Sequence, residues 1–356
     1  MYVDFYRLKG RPFQLTPDPR FYFDSRSHKK AMAYLTYGLN QGEGFIIVTG
    51  DIGAGKSTLV AHLLGQLDDE KIIAAKLVTT QIDADDTLRM VASAFGIPQE
   101  NRDKATLLRE LEAFLGASHE AGKRVLLLID EVQNFPMASL EELRMLSNFQ
   151  VGEKAVLQCY LLGQPQFLKT LANPDMEQLR QRVIASYHLK PIGTEETRAY
   201  IQHRLRLVGW DNDPAFTDEG YRKIHDHTGG VPRRINTLCS RLLLFGFLEE
   251  RHEIDGDAVD EVVMDLADEM AEKLGAEGRA TEDDATVDDA MVAERPARKS
   301  NGPALNGEFG DLQRRVDVLE KYVRAHERTI KRALEIAARY LEKDGEEADS
   351  RAVRRK

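Results

Sequence analysis

The sequence predicts an α/β core, a parallel sheet flanked by helices, followed by an all-helical lid domain, a disordered acidic linker and a C-terminal coiled-coil helix. Three observations carry this reading. Up to about residue 192, short apolar runs alternate with helix-length amphipathic stretches, as buried parallel strands alternate with their crossover helices. Two of those runs end in chemically distinctive punctuation, a glycine-rich loop after residue 49 and a pair of acids after residue 129. From Thr194 the alternation stops and only helical periodicity remains.

In chain order, residues 11–23 set Pro12, Pro17 and Pro19 among Phe13, Phe21, Tyr22 and Phe23. Proline fixes φ and disfavours helix at the preceding residue, so this is an ordered extended arm. Ser25 can cap a helix that carries Met32, Leu35 and Leu39 on one face. The run 45–49 reads as a buried strand. It leads into Gly50-Asp51-Ile52-Gly53-Ala54-Gly55-Lys56-Ser57, after which a helix begins at Thr58. This is the G-x-x-x-x-G-K-S phosphate loop in the strand, loop and helix order that gives the motif meaning. Gly50, Gly53 and Gly55 let backbone N–H groups turn inward around phosphate oxygens at a helix N-terminus. Lys56 supplies a point charge to the β- and γ-phosphates, and Ser57 a hydroxyl for Mg²⁺. Residues 50–58 are therefore expected to hold a nucleoside triphosphate with Mg²⁺, which the resemblance given below narrows to ATP. The aromatic arm either covers the adenine or is pinned to the core by Phe13, Phe21 and Phe23.

Residues 72–78 read as a second strand, and 85–95 and 106–115 as helices. The apolar run from Arg124 ends in Asp130-Glu131, the Walker B pattern, about 75 residues after the phosphate loop. A strand buried on both faces delivers carboxylates to its C-terminal end. Asp130 can hold Mg²⁺ through its water shell and Glu131 can polarise the attacking water. Leu140, Leu143 and Leu146 mark a helix, and 156–162 another strand that ends in Gly163-Gln164-Pro165. Gln164 is a candidate sensor of water or phosphate, or a turn residue. Arg180 and Arg182 precede the strand 185–189, near a subunit edge from which a guanidinium can reach a neighbour's phosphate.

The lid is expected to start with Thr194 as an N-cap, followed by helices over 197–207, 218–227, 233–248 and 257–271. A Gly229-Gly230-Val231-Pro232 turn opens the third of these with Arg233 in the first turn. A cation there opposes the helix dipole, so Arg233 is expected to answer to a nucleotide phosphate. His225 and His227 lack further ligands, and no metal site is expected from them. The predicted boundaries are 1–192 for the core with its arm, 193–272 for the lid, 273–310 for the linker, 311–345 for the coiled coil and 346–356 for a charged tail. The coiled coil rests on a seam at Leu312, Val316, Leu319, Val323, His326, Ile330, Ala333, Ala337 and Tyr340.

Composition bounds the function. The chain has 356 residues, enough for two or three units, and a net charge of −10. Between Asp265 and Glu294 eleven Asp/Glu face two Lys/Arg, so the remainder is close to neutral and shows no broad basic field. No apolar run approaches the ~20 residues of a membrane span, and the N-terminus lacks a signal peptide's apolar centre. Cys159 and Cys239 sit in apolar surroundings and read as reduced core residues. A cytoplasmic location is expected, peripheral at the inner membrane if a partner recruits the chain there.

These motifs resemble those of the AAA+ ATPases over residues 1 to roughly 272. More narrowly, the chain is similar to the general secretion pathway protein A group and to ATPases of PEP-CTERM/exosortase and exopolysaccharide loci. The carrying residues are Pro12-Phe13 with Thr16-Pro17-Asp18-Pro19, Gly50 to Ser57, Asp130-Glu131-Val132-Gln133-Asn134, Gly163-Gln164-Pro165 and Gly229 to Arg233. The resemblance implies a P-loop AAA+ core, with Gln164 as sensor 1 (where Asn, Thr or Ser is more usual), Arg182 as arginine finger and Arg233 as sensor 2. It also implies a homo-oligomer, a ring or dimer, and a membrane-associated secretion or polysaccharide-assembly partner reached through the coiled coil or lid. An acidic linker and coiled coil stand where some secretion relatives carry a membrane span and a peptidoglycan-binding part. The competing expectation is a DNA-acting AAA+ ATPase of the transposition target-selection or origin-loading type, so nucleic acid stays open as a partner. A nucleotide-dependent adaptor with negligible turnover is the third.

Overall fold

The computed structural model describes residues 1–282 apart from 17, 69, 79–83 and 101. The linker beyond residue 282, the expected coiled coil over 311–345 and the tail over 346–356 lie outside the described residues. The chain divides into two compact units, one of Met1–Phe247 with His252–Asp265 and one of Leu248–Arg251 with Leu266–Lys356. The expected core and, apart from Leu248–Arg251, the lid up to Asp265 thus fall in a single unit, described next.

Strands β1 (Phe45–Gly50), β2 (Ile72–Val78), β3 (Arg124–Asp130), β6 (Leu157–Gly163) and β7 (Val183–Leu189) form one five-stranded sheet in the order β2-β3-β6-β1-β7. Every pairing in it is parallel. A short antiparallel hairpin, β4 (Gln150–Val151) with β5 (Lys154–Ala155), precedes β6 and has no apolar pattern that would announce it. Alternation along β3 explains the two layers of core. Val125, Leu127 and Ile129 face Leu107, Leu111, Leu115, Leu140 and Leu143 of helices α5 (Lys104–Glu120) and α6 (Met137–Leu146). Leu126 and Leu128 face Leu35, Leu39, Leu59 and Leu63 of α2 (Arg26–Gln41) and α3 (Lys56–Leu64). Helices α4 (Ala84–Ala94), α7 (Gln166–Leu171) and α8 (Glu177–Arg180) complete the first layer's side of the sheet, and α1 (Tyr2–Phe5) opens the chain. Ser25 caps α2 as expected, its side chain accepting from the His28 N–H.

The lid consists of α9 (Thr194–Leu207), α10 (Asp218–Thr228), α11 (Pro232–Leu248) and the start of α12 (Gly256–Glu282). Three expectations need correction. The cap of α9 is Gly193, with Thr194 already inside the helix. The lid is not all helical, because Ala215–Phe216 (β8) and Glu253–Ile254 (β9) pair as two short parallel strands. The helix expected to end at 271 continues to Glu282. The continuation carries Ala, Glu, Lys, Leu and Arg, which propagate a helix once it is nucleated, and this outweighs the acidic composition that reads as a linker.

The described residues of the N-terminal arm hold a turn at Pro12-Phe13, bends at Leu15-Thr16 and a 3-10 turn over Pro19–Phe21, so the arm is irregular where an extended one was expected. It is tied to the lid by hydrogen bonds, while Tyr22 packs on the sheet-side core and stacks on His62 of α3. The Lys9 N–H donates to the Val208 carbonyl, Arg204 Nε to the Pro12 carbonyl at 2.7 Å, and His203 Nε2 to the Tyr22 carbonyl. Phe13 and Phe21 are buried, Phe21 lies under the Arg204 guanidinium, and Phe23 packs edge-on against Tyr200. Cys159 and Cys239 are free and fully buried, and burial pushes the Cys159 thiol up to about 12.

Candidate active site

All five strands of a parallel sheet point their carboxyl ends the same way, and side chains at that end share one cleft. Here the cleft is lined by the phosphate loop, Glu131, the arm residues Phe21, Tyr22 and Phe23, and the lid residues Tyr200, Arg204, Arg233 and Asn236. The arm therefore lines the cleft while its aromatic residues are pinned, mostly against the lid and through Tyr22 against α3.

The loop leaves β1 at Gly50 and enters α3 at Lys56. Gly53 has φ +82° and a Cβ on it would stand 2.4 Å from the Arg233 Cβ, so only glycine admits the lid arginine this close. The Arg233 N–H donates to the Gly53 carbonyl, which locks the first turn of α11 to the loop. Lys56 is buried, and its Nζ donates to the Gly50 and Asp51 carbonyls at 2.7 and 3.1 Å. Burial lowers the Lys56 pKa, opposed by the charges of Glu131, Asp130 and Asp51. His28, also buried, braces the loop from below: its ring bonds Ser25 Oγ at 2.7 Å and the Ala54 backbone.

Ser57 Oγ donates to Asp130 Oδ2 at 2.8 Å, which joins the loop to the end of β3. The same carboxylate oxygen pairs with Lys76 Nζ at 3.1 Å, and Oδ1 accepts from the Glu131 N–H. Glu131 sits in the left-handed region at φ 58°, a conformation worth roughly 1–3 kcal/mol of strain for a residue with a Cβ. The turn Val132–Asn134 follows directly and holds it there. Glu131 Oε2 accepts from Gln133 Nε2 at 2.6 Å and from Gln164 Nε2 at 3.4 Å, while Gln133 Oε1 accepts from the Gln164 N–H at 2.9 Å. A Cβ at position 163 would press on Val132 and on Gln133 Oε1, so Gly163 keeps this bridge open.

Lys56, Ser57, Asp130, Glu131, Gln164 and Arg233 thus converge, as do the loop residues Asp51, Ile52, Ala54, Gly55 and Thr58 that neighbour them. Arg182 and Arg180 do not. Arg182 precedes β7 at the opposite end of the sheet, where its carbonyl accepts from the Phe45 N–H. Its Nη1 donates to the Ser147 carbonyl at 2.9 Å, and Arg180 Nη1 donates to the Leu171 carbonyl at 2.8 Å. His225 bonds Thr197 Oγ1 and His227 meets Asp260.

Four participants escape sequence reasoning. Gln133 lies inside the quoted Walker B stretch, yet nothing in its spacing announces a bridge to Gln164. Lys76 alternates with buried Ala75 and Leu77 and reads as a solvent-facing strand residue. His28 looks like any polar residue in a helix's first turn. Arg204 is buried in α9, where it donates to the Tyr200 hydroxyl, which in turn donates to Asn236. Only the polar position of a large aromatic three to four residues away hints at it.

Residues 39–171 match the AAA domain family. General secretion pathway protein A of Aeromonas hydrophila is 37% identical over 255 residues, 71% of this chain and 46% of that protein. The chain spans less than half the length of the curated relatives it matches. Among solved structures, Cdc6p of Pyrobaculum aerophilum superposes with a TM-score of 0.53 at 14% identity, covering 71% of this chain and 68% of that one. The Aeropyrum pernix ORC2 protein in its ADPNP-ADP complexes gives 0.51 at 17% identity, covering 67% and 66%. Both are likenesses of fold. Among the described residues no helix is long and apolar enough to cross a membrane. A sheet ordered β2-β3-β6-β1-β7, with its phosphate loop after β1, its acid pair after β3 and an arginine from a following helical lid, underlies both likenesses, to the AAA domain family over residues 39–171 and to general secretion pathway protein A.

Proposed function

We propose that the chain binds ATP with Mg²⁺ in this cleft and hydrolyses it to drive a bacterial secretion or exosortase-linked exopolysaccharide assembly system. The observation that carries the chemistry is the convergence at one sheet end of Lys56, the Ser57–Asp130 pair and the Glu131–Gln133–Gln164 bridge. Ser57 and Asp130 present a hydroxyl and a carboxylate oxygen, the hard donors that suit Mg²⁺. A cation held there supplies charge for the β- and γ-oxygens of the nucleotide. Lys56 trades its carbonyl partners for phosphate oxygens, and the loop's N–H groups cradle them. Glu131 takes the proton of the attacking water, held in place by Gln133 and Gln164. Arg233 contacts the phosphates from the lid, so closure of the lid reports the nucleotide. The aromatic arm covers the base. Arg182 serves a neighbouring subunit in a homo-oligomer.

The link to secretion is supported by the name of the Aeromonas relative. The narrower exosortase and exopolysaccharide assignment rests on the resemblance of Pro12-Phe13 and Thr16 to Pro19. The partner is a membrane-associated component of that system, reached through the lid or through residues 311–345, and the chain works from the cytoplasmic side. The test is ATP hydrolysis measured for the protein alone, with anionic vesicles, and with duplex DNA, alongside recovery of the protein with inner membranes. Stimulation by membranes and co-fractionation support the reading. Stimulation by DNA alone, with no membrane recovery, replaces it by the DNA-acting alternative.

A further inference from the structure

Asp130 is buried, and an ionised carboxylate there needs compensation. Its three partners among the described residues are unequal. Ser57 gives a neutral hydroxyl, the Glu131 backbone a neutral N–H, and Lys76 a full positive charge on Oδ2, the oxygen that also accepts from Ser57. Lys56 is turned away, onto the Gly50 and Asp51 carbonyls. Lys76 reaches Asp130 because β2 pairs with β3 in parallel with Lys76 beside Leu128, two residues short of Asp130. A long side chain leaning along its strand spans that diagonal. The Lys76 side chain keeps 34% of its surface exposed, against 6% for Asp130. The ammonium can therefore leave for solvent while the carboxylate stays.

We propose that Lys76 is the resident counter-cation of the metal-binding carboxylate. It neutralises Asp130 before nucleotide arrives, gives up Oδ2 when the nucleotide-borne divalent cation enters, and by that competition sets how strongly Mg²⁺ tightens nucleotide binding. The inference rests on the assignment of Ser57 and Asp130 as the cation site. A unit charge within a few ångströms opposes a dication strongly, and partial exposure screens that opposition. Removing it should raise the cation's contribution about tenfold.

The test is calorimetric binding of AMP-PNP to the full chain, once with excess Mg²⁺ and once with EDTA. The ratio of the two affinities is the readout. Lys76→Met should raise that ratio about tenfold over the wild-type protein and lower the melting temperature of the nucleotide-free chain. Lys76→Arg, which keeps the charge, should hold the wild-type ratio. Lys76→Gln keeps a donor for Asp130 without the charge and carries the same test should the methionine variant fail to fold. An unchanged ratio in the uncharged variants, in a protein whose wild-type form responds to Mg²⁺, overturns the role of Lys76 alone. A wild-type affinity that ignores Mg²⁺ overturns the cation site and the inference with it.

Discussion

The two ends of the central sheet are made by the same five parallel strands, yet their charged side chains are disposed differently. At the carboxyl end charges of both signs gather: Lys76 pairs with Asp130, while Lys56 rests on two carbonyls and Glu131 is held by two glutamines. At the amino end, Arg182 and Arg180 rest on neutral carbonyls, those of Ser147 and Leu171. Between Phe45, bonded to the Arg182 carbonyl, and Gly50 at the phosphate loop lies roughly 16 Å of strand. An arginine side chain cannot cover that distance. The comparison teaches that one end of the sheet gathers the proposed nucleotide-binding residues within one chain, whereas the arginine at the other end can reach such a site only in a second subunit.

The strongest break in that comparison comes at the carboxyl end. Lys56→Ala should weaken ATP binding roughly a hundredfold or more, since it deletes the charge on the ground-state phosphates. Glu131→Gln should bind ATP as the wild-type protein does and turn it over about a thousandfold more slowly, because the carboxylate acts on the water in the transition state. Nucleotide titration and single-turnover hydrolysis separate the two. Equal loss of affinity in both variants would remove Glu131 from the role assigned to it.

At the opposite end, Arg182→Ala should keep ATP binding and lower turnover on the order of a hundredfold, the effect of one lost transition-state donor. The trans geometry makes a sharper statement. Mixed with Lys56→Ala protein, the Arg182→Ala chain should recover activity, since each of its intact phosphate loops can then face an intact Arg182. A mixture no faster than Arg182→Ala alone means that the arginine acts within its own chain or not at all.

The carboxyl end was largely legible in the sequence and the amino end only by analogy. Lys56, Ser57, Asp130 and Glu131 follow from local order, since a phosphate loop needs its strand and helix and a buried strand must end somewhere. Gln133, Lys76 and His28 depend instead on which strands become neighbours. Lys76 matters only because β2 lies beside β3, and Gln133 only because Gly163 leaves room beside β6. The lid's place is likewise invisible to periodicity: its contact with the loop hangs on Gly53 having no side chain under Arg233. Gln133→Ala tests the hidden layer. It should leave ATP affinity unchanged and reduce kcat about tenfold, the worth of one hydrogen bond to a charged group, with Gln133→Glu no better because it places a second carboxylate against Glu131. A fall in affinity without a fall in kcat would make Gln133 a structural brace of the turn.

The smallest expected effect concerns pH and separates the two ends once more. Burial holds the His28 imidazole below the ordinary histidine range, and His203, on the lid side of the arm, is shifted the same way by burial. In the fold both take up a proton only at a lower pH than a free imidazole does. In the unfolded chain they take up a proton near pH 6.5, so the unfolded form binds more protons as the pH drops below that value. Their contribution is complete above about pH 6.5 and is lost as the pH falls toward the folded pKa. The nucleotide-free protein should therefore melt lower at pH 5.5 than at pH 7.5. His28→Gln should melt lower than wild type at pH 7.5, having lost the brace between Ser25 and the Ala54 backbone, and should lose less on acidification. Arg182→Ala, at the far end of the sheet, should show the same acid-induced drop as the wild-type protein. A drop of wild-type size in His28→Gln would move the acid sensitivity away from the loop's brace, whereas a reduced drop in Arg182→Ala would show that the two ends of the sheet are coupled in stability even though their charges are not.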